Sequence, residues 1–146
     1  MKRYLLASLA LGGALVGGAA CTPTKAPPPP ASAVLSISPT SFDYGEVETG
    51  GGTDPVTFTV TNSGSADSGR VDVTIEQPGP TQFKFGQRIP GVDDTCSGAV
   101  LASGDSCTVG IEFAPTSDGV HEGTLVVTAD PGGSPTTGLS GTGVSY

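Results

Sequence analysis

The chain has 146 residues, enough for one domain, and holds 23 Gly, 13 Pro and no Trp. Its formal charge is −8, from six basic and fourteen acidic side chains. So few scattered cations cannot neutralise a run of phosphates, which excludes a nucleic-acid surface and argues against anionic lipid as a partner of the folded domain. Charged residues make up only 14% of the chain, so self-repulsion does not hold it open. Short β-branched runs between Gly, Pro, Ser and Asp clusters indicate an all-β domain.

Residues 1–20 read as a cleaved secretory signal. Lys2 and Arg3 form a positive start, Tyr4 to Val16 an apolar core, and Gly17 to Ala20 a small-residue cleavage zone. The apolar run is too short for a comfortable membrane span. Residues 21–33 follow as Cys21 and a linker, CTPTKAPPPPASA. Its four consecutive prolines favour polyproline II and withhold backbone donors from any sheet. At about 3.1 Å per residue, a dozen such residues reach roughly 37 Å, a semi-rigid stalk.

Here the chain resembles a bacterial lipoprotein precursor, in which small residues precede a cysteine that becomes the lipidated N-terminus. Ala19, Ala20 and Cys21 match that motif, and Gly18 stands where it has an aliphatic residue. Gly18 and Ala20 also satisfy an ordinary signal peptidase, which leaves a plain secreted or periplasmic protein as the alternative. The resemblance implies lipidation at Cys21. With Thr22 next, it also implies a lipid-anchored place in the cell envelope, at the outer membrane or cell surface. The membrane would then be touched only through the lipid anchor.

The domain is expected over residues 34–146. Leu35 and Ile37 alternate with Ser36 and Ser38, Pro39 breaks the run, and Phe42, Tyr44 and Val47 continue it. A strand, a kink and a short continuation is the habit of a first strand that changes sheets at an edge. Val56, Phe58 and Val60 alternate with Thr57, Thr59 and Thr61, the mark of a half-buried strand. Asn62-Ser63-Gly64 turns the chain. Val71, Val73 and Ile75 repeat the alternation, and Phe83 and Phe85 flank Lys84 in a short strand.

Cys96 then begins a turn-rich loop that ends at Cys107, the start of a run in which Val109, Ile111 and Phe113 face inward. Leu125 to Val127 follows after Asp118-Gly119, and the two runs are read as a β-hairpin. Leu139 anchors a last strand within 135–144. The predicted fold is a two-sheet antiparallel β-sandwich of about seven strands. Its predicted core is Phe58, Val60, Val73, Ile75, Val109, Ile111, Phe113, Leu125 and Val127.

At these residues the chain resembles the immunoglobulin-like modules of the ASPM/SPD-2/Hydin (ASH) type and the related choice-of-anchor D domains of bacterial surface proteins. The resemblance rests on Leu35-Ser36-Ile37-Ser38-Pro39, Phe42-x-Tyr44-Gly45, Phe58-Thr59-Val60-Thr61-Asn62-Ser63-Gly64, the Cys96 to Cys107 loop, Val109-x-Ile111-x-Phe113-x-Pro115, and Leu139-Ser140-Gly141-Thr142-Gly143. It implies a sandwich fold and a role in extracellular or scaffold interactions, and no catalytic residues.

Cys96 and Cys107 are expected to form a disulfide, since an exported chain meets an oxidising compartment. A redox pair would want closer spacing and positive surroundings. Asp93, Asp94 and Asp105 could instead offer oxygens to Ca²⁺, but without a calcium-loop repeat they read as a solvated acidic loop. His121, the single histidine, is expected at an exposed strand start. No nucleophile elbow accompanies it. The expected function is therefore non-enzymatic, needing no metal or cofactor: binding an envelope protein or glycan, or spacing components. The alternative is an accessory substrate-binding domain of an envelope hydrolase or transport complex.

Overall fold

The computed structural model describes residues 26–86 and 94–146. Eight strands run in order: β1 (Leu35–Ser38), β2 (Ser41–Glu48), β3 (Val56–Asn62), β4 (Asp72–Glu76), β5 (Phe83–Phe85), β6 (Ser106–Phe113), β7 (Gly119–Thr128) and β8 (Thr136–Val144). They form two four-stranded sheets, β1-β3-β6-β5 and β2-β8-β7-β4. Each sheet turns one alternating face inward, so the apolar residues of β3 and β6 meet those of β7 and β4 across the sandwich. Phe58, Val60, Val109, Ile111, Phe113, Leu125 and Val127 are fully buried, and Val73 nearly so. The register read from the alternation is thus the observed one. Ile75 departs from it, being only partly buried, because β4 is an edge strand.

Two expectations need correction. First, β6 and β7 do not form a hairpin: β6 pairs with β3 and β5, while β7 pairs with β4 and β8 in the other sheet. Both runs carry a continuous apolar face, and facing each other across the core buries both at once. Pro115 supplies no N–H to continue a ladder, and Ala114 to Asp118 carries the chain between the sheets. Second, one pairing in the sandwich is parallel rather than antiparallel. The break at Pro39 moves the chain from one sheet to the other without reversing it. β1 is therefore antiparallel to β3, while β2 lies parallel to β8, with a bulge between Asp43 and Glu46. The sheet change itself was expected from the break.

Candidate functional site

The disulfide forms: Cys96 and Cys107 have Cα atoms 5.1 Å apart, both side chains are buried, and the bond closes the loop at the mouth of β6. Gly98 and Gly104 take φ of 81° and 87°, the left-handed turns the reversal requires. Leu101, 5% exposed, caps the end of the core. A disulfide is at home outside the reducing cytosol, so the domain is extracytoplasmic. Cys21 and the signal lie outside the described residues, as does Asp93.

Sequence reasoning underrated what else holds this loop. Asn62 was read as a turn residue, yet by period 2 it falls on the inward face after Phe58 and Val60, and it is completely buried. Its Nδ2 donates to the carbonyls of Ala66 at 2.8 Å and Leu101 at 2.9 Å. Its Oδ1 accepts from the N–H groups of Val34 at 3.1 Å and Gly64 at 3.0 Å. Its own N–H donates to the Asp105 carbonyl, and Gly104 N–H donates to the Asn62 carbonyl. Ser68 adds a second grip: its N–H donates to the Leu101 carbonyl, and its hydroxyl accepts from Leu101 N–H. The loop is therefore held by buried polar contacts as well as by the bridge.

Asp94 is committed to the turn that precedes the bridge. Its Oδ1 accepts from Cys96 N–H at 2.9 Å and Ser97 N–H at 2.8 Å, and its other oxygen accepts from the Ser97 hydroxyl. Asp105 contributes its backbone to the Asn62 contact. Among the described residues no three metal-binding side chains gather. His121 stands at the start of β7 as expected but is half-buried, its ring 5.9 Å from that of Phe113. Its Nε2 lies 2.8 Å from the Ser117 carbonyl, which can only accept, so Nε2 carries the proton and is occupied.

At the far end of β6 an aromatic group replaces the polar one. Phe83 and Phe113 stack with centroids 4.9 Å apart, and Tyr44 tilts against both. The opposing sheet makes room with glycines: a Cβ at Gly141 would lie 2.6 Å from the Phe113 ring, and one at Gly123 2.8 Å from that of Phe83. The Tyr44 hydroxyl crosses between the sheets to donate to the Ile111 carbonyl at 2.7 Å. Burial, and secondarily the charge of Glu112, push the Tyr44 phenol well above its ordinary value. Gln82, 2% exposed, holds the start of β5 to the β6–β7 crossing through both the N–H and the hydroxyl of Thr116. Nearby, Thr49 and Ser145 hydroxyls donate to the Asp118 carboxylate and hold it below the usual carboxylate range.

Among the grooves on the described surface, two border β4. The larger, about 670 Å³, lies on the outer face of the β2-β8-β7-β4 sheet, over Gly138 and between Glu76 and Glu122. The other, about 340 Å³, is the seam between the β4 and β5 edges, lined by Ile75, Gln77, Thr81, Phe83, Lys84 and Phe85. The first is flanked by two carboxylates; the second has an apolar floor.

No protein-family profile and no curated protein sequence matches the chain. Solved structures do resemble it. The ASH/PapD-like domain 7 of human CEP192 superposes with a TM-score of 0.52 at 18% identity, covering 92% of this chain and 99% of that one. The domain is an immunoglobulin-like, PapD-like β-sandwich. Its fold also recurs within the secreted serine protease VesC of Vibrio cholerae, with a TM-score of 0.56, 24% identity and 75% of this chain covered. A family 123 glycoside hydrolase from Clostridium perfringens contains it too, with a TM-score of 0.57, 13% identity and 79% covered. The sandwich spans only 23% of the protease and 27% of the hydrolase, so it resembles a minor part of each.

Proposed function

We propose that this protein is a non-catalytic binding or spacing module of the bacterial cell envelope, lipid-anchored through Cys21 and held off the bilayer by the proline-rich stalk, with an envelope protein or glycan as its partner. The observation that carries this reading is how the polar side chains are used. Asn62, Ser68, Gln82, Tyr44 and Asp94 all serve the domain's own backbone. His121 Nε2 is occupied by the Ser117 carbonyl. What is left for function is surface, and the exposed residues 26–31 present that surface at the end of a spacer.

The anchor has a direct test. The wild type should fractionate with membranes and incorporate a palmitate analogue, and Cys21→Ser should be soluble and unlabelled. An unlabelled wild type sinks the anchor. Cross-linking on intact cells should then join the domain to an envelope component; a domain that stays monomeric and uncross-linked sinks the binding role.

A second reading makes the domain an accessory that binds substrate beside an envelope hydrolase or transport complex. It is supported by the recurrence of this fold as a minor part of a secreted protease and of a glycoside hydrolase. A shared complex with such an enzyme in the same cross-linking experiment separates it from the first.

A further inference from the structure

The free edge of β4 is a template only half used. In an antiparallel strand the N–H and C=O of one residue point to the same side, and successive residues alternate. Val127, opposite Val73, turns its N–H away from β4 to the Pro135 carbonyl. Asp72, Thr74 and Glu76 therefore bond to β7, while Val71, Val73 and Ile75 direct their backbone groups off the sheet. At Val71 that edge is occupied by the chain's own disulfide loop. Val71 N–H donates to the Ala99 carbonyl at 2.8 Å, and Gly98 N–H donates to the Val71 carbonyl at 2.7 Å. At Val73 and Ile75 no partner is present among the described residues.

Across the seam β5 shows the same division. Gly86 N–H donates to the Gly110 carbonyl in β6, which turns the backbone groups of Phe83 and Phe85 away from β6. Gln77 caps Phe83, its side chain accepting from the Phe83 N–H and donating to the Phe83 carbonyl, both at 3.0 Å. Phe85 has no such cap among the described residues and is 37% exposed. The seam thus combines strand backbone without a partner among the described residues with a floor of Ile75, Phe83 and Phe85.

The other edges are guarded. β2 has a bulge and carries Asp43, Glu46 and Glu48, while β1 and β5 are four and three residues long. β4 has neither bulge nor proline, only Asp72 and Glu76 at its two ends, both exposed, with Glu122 on the adjoining strand. Two β4 edges laid antiparallel would bring those carboxylates together, which disfavours a second copy of this chain.

We propose that β4 receives an extended segment of a partner protein, added as a further strand beside Val73 and Ile75, whose side chains alternate between apolar and basic. The apolar set enters the seam against Ile75 and Phe85, and the basic set lies along Asp72, Thr74 and Glu76. The loop at Val71 already occupies one step of this edge and would meet one end of the guest. The proposal rests on the reading of the domain as a binding module and names its site and partner chemistry.

The probe is a fluorescent synthetic peptide of about nine residues alternating valine and lysine, long enough to span β4, added to the purified full chain with its disulfide intact. Two controls have the same composition: one with valines and lysines in blocks, one with alternate backbone nitrogens methylated. The alternating peptide should bind about tenfold or more tighter than either control, a difference well outside rim electrostatics. Glu76→Lys, at an exposed position, should weaken it, and hydrogen exchange at the Val73 and Ile75 amides should slow on binding. Equal binding of the controls overturns the proposal, and so does slow exchange at both amides before peptide is added. Failure here, with the protein still membrane-bound and cross-linked to a partner, removes the β4 site and leaves the binding module standing.

Discussion

The two ends of β6 close the sandwich by different means. At Cys107 the closure is covalent and polar: one disulfide, and a buried Asn62 that satisfies backbone from three separate stretches of chain. At Phe113 it is apolar: stacked rings from β5 and β6 fitted against glycines of β7 and β8. The difference follows from what each end must cover. The Cys107 end is roofed by irregular loops whose N–H and C=O groups need partners once buried. The Phe113 and Phe83 rings face β7 and β8, regular strands whose ladder already satisfies its backbone, so ring packing can fill the space.

The comparison is open to experiment at both ends. Phe113→Ala empties the apolar end and should cost about 3–5 kcal/mol in urea unfolding, the range for a fully packed aromatic. A loss below about 1 kcal/mol would mean that the aromatic end does not close the sandwich.

At the polar end, Asn62→Ala leaves up to five backbone groups without their partner, the N–H groups of Val34 and Gly64 and the carbonyls of Ala66, Leu101 and Ala102; it should cost about 3 kcal/mol, with water rescuing some of them. Cys96→Ser with Cys107→Ser should fold and lose about 2–3 kcal/mol, the chain-entropy value for so short a loop, because Asn62 and Ser68 still hold the loop in place. The order of these two is the informative result. If the cysteine pair costs clearly more than Asn62→Ala, the covalent bond and not the buried amide is the main closure. Two alkylatable thiols at 96 and 107 in protein taken from cells would remove the bridge from the comparison altogether.

The smallest effect belongs to Tyr44, whose hydroxyl bond to the Ile111 carbonyl joins the two sheets at the aromatic end. Tyr44→Phe should cost about 1 kcal/mol at neutral pH through the lost hydrogen bond to the Ile111 carbonyl. Its signature is in alkali. The folded phenol keeps its proton above the ordinary value of 10.0. From about that pH upward the unfolded chain has given up a proton that the folded chain retains, so stability falls as pH rises. The fall should be shallower in Tyr44→Phe, as read by unfolding midpoints from pH 9 to pH 12, roughly bracketing the ordinary phenol range. An unchanged slope would place the Tyr44 hydroxyl in water.

Much of this was written in the chain's alternation. Val56 to Asn62, Val71 to Ile75 and Cys107 to Phe113 each state which side chains face inward, because a strand's period is two and needs no knowledge of its neighbours. The same parity placed Cys107 on the core side, where its bond with Cys96 is found. It also held the signal for Asn62, whose inward position meant that a buried amide would need partners.

What alternation cannot carry is which strand lies beside which. β6 and β7 read as a hairpin because they are consecutive and both apolar, yet their apolar faces bury more surface opposed than side by side. Only the packing of the two sheets decided that. Likewise Gly123 and Gly141 look like flexible punctuation until the rings of Phe83 and Phe113 arrive from the other sheet and leave no room for a Cβ. The half-occupied β4 edge belongs to the same class. Whether a backbone group has a partner depends on loops some 25 residues away, so it is a property of the assembled domain and not of the five residues that form the strand.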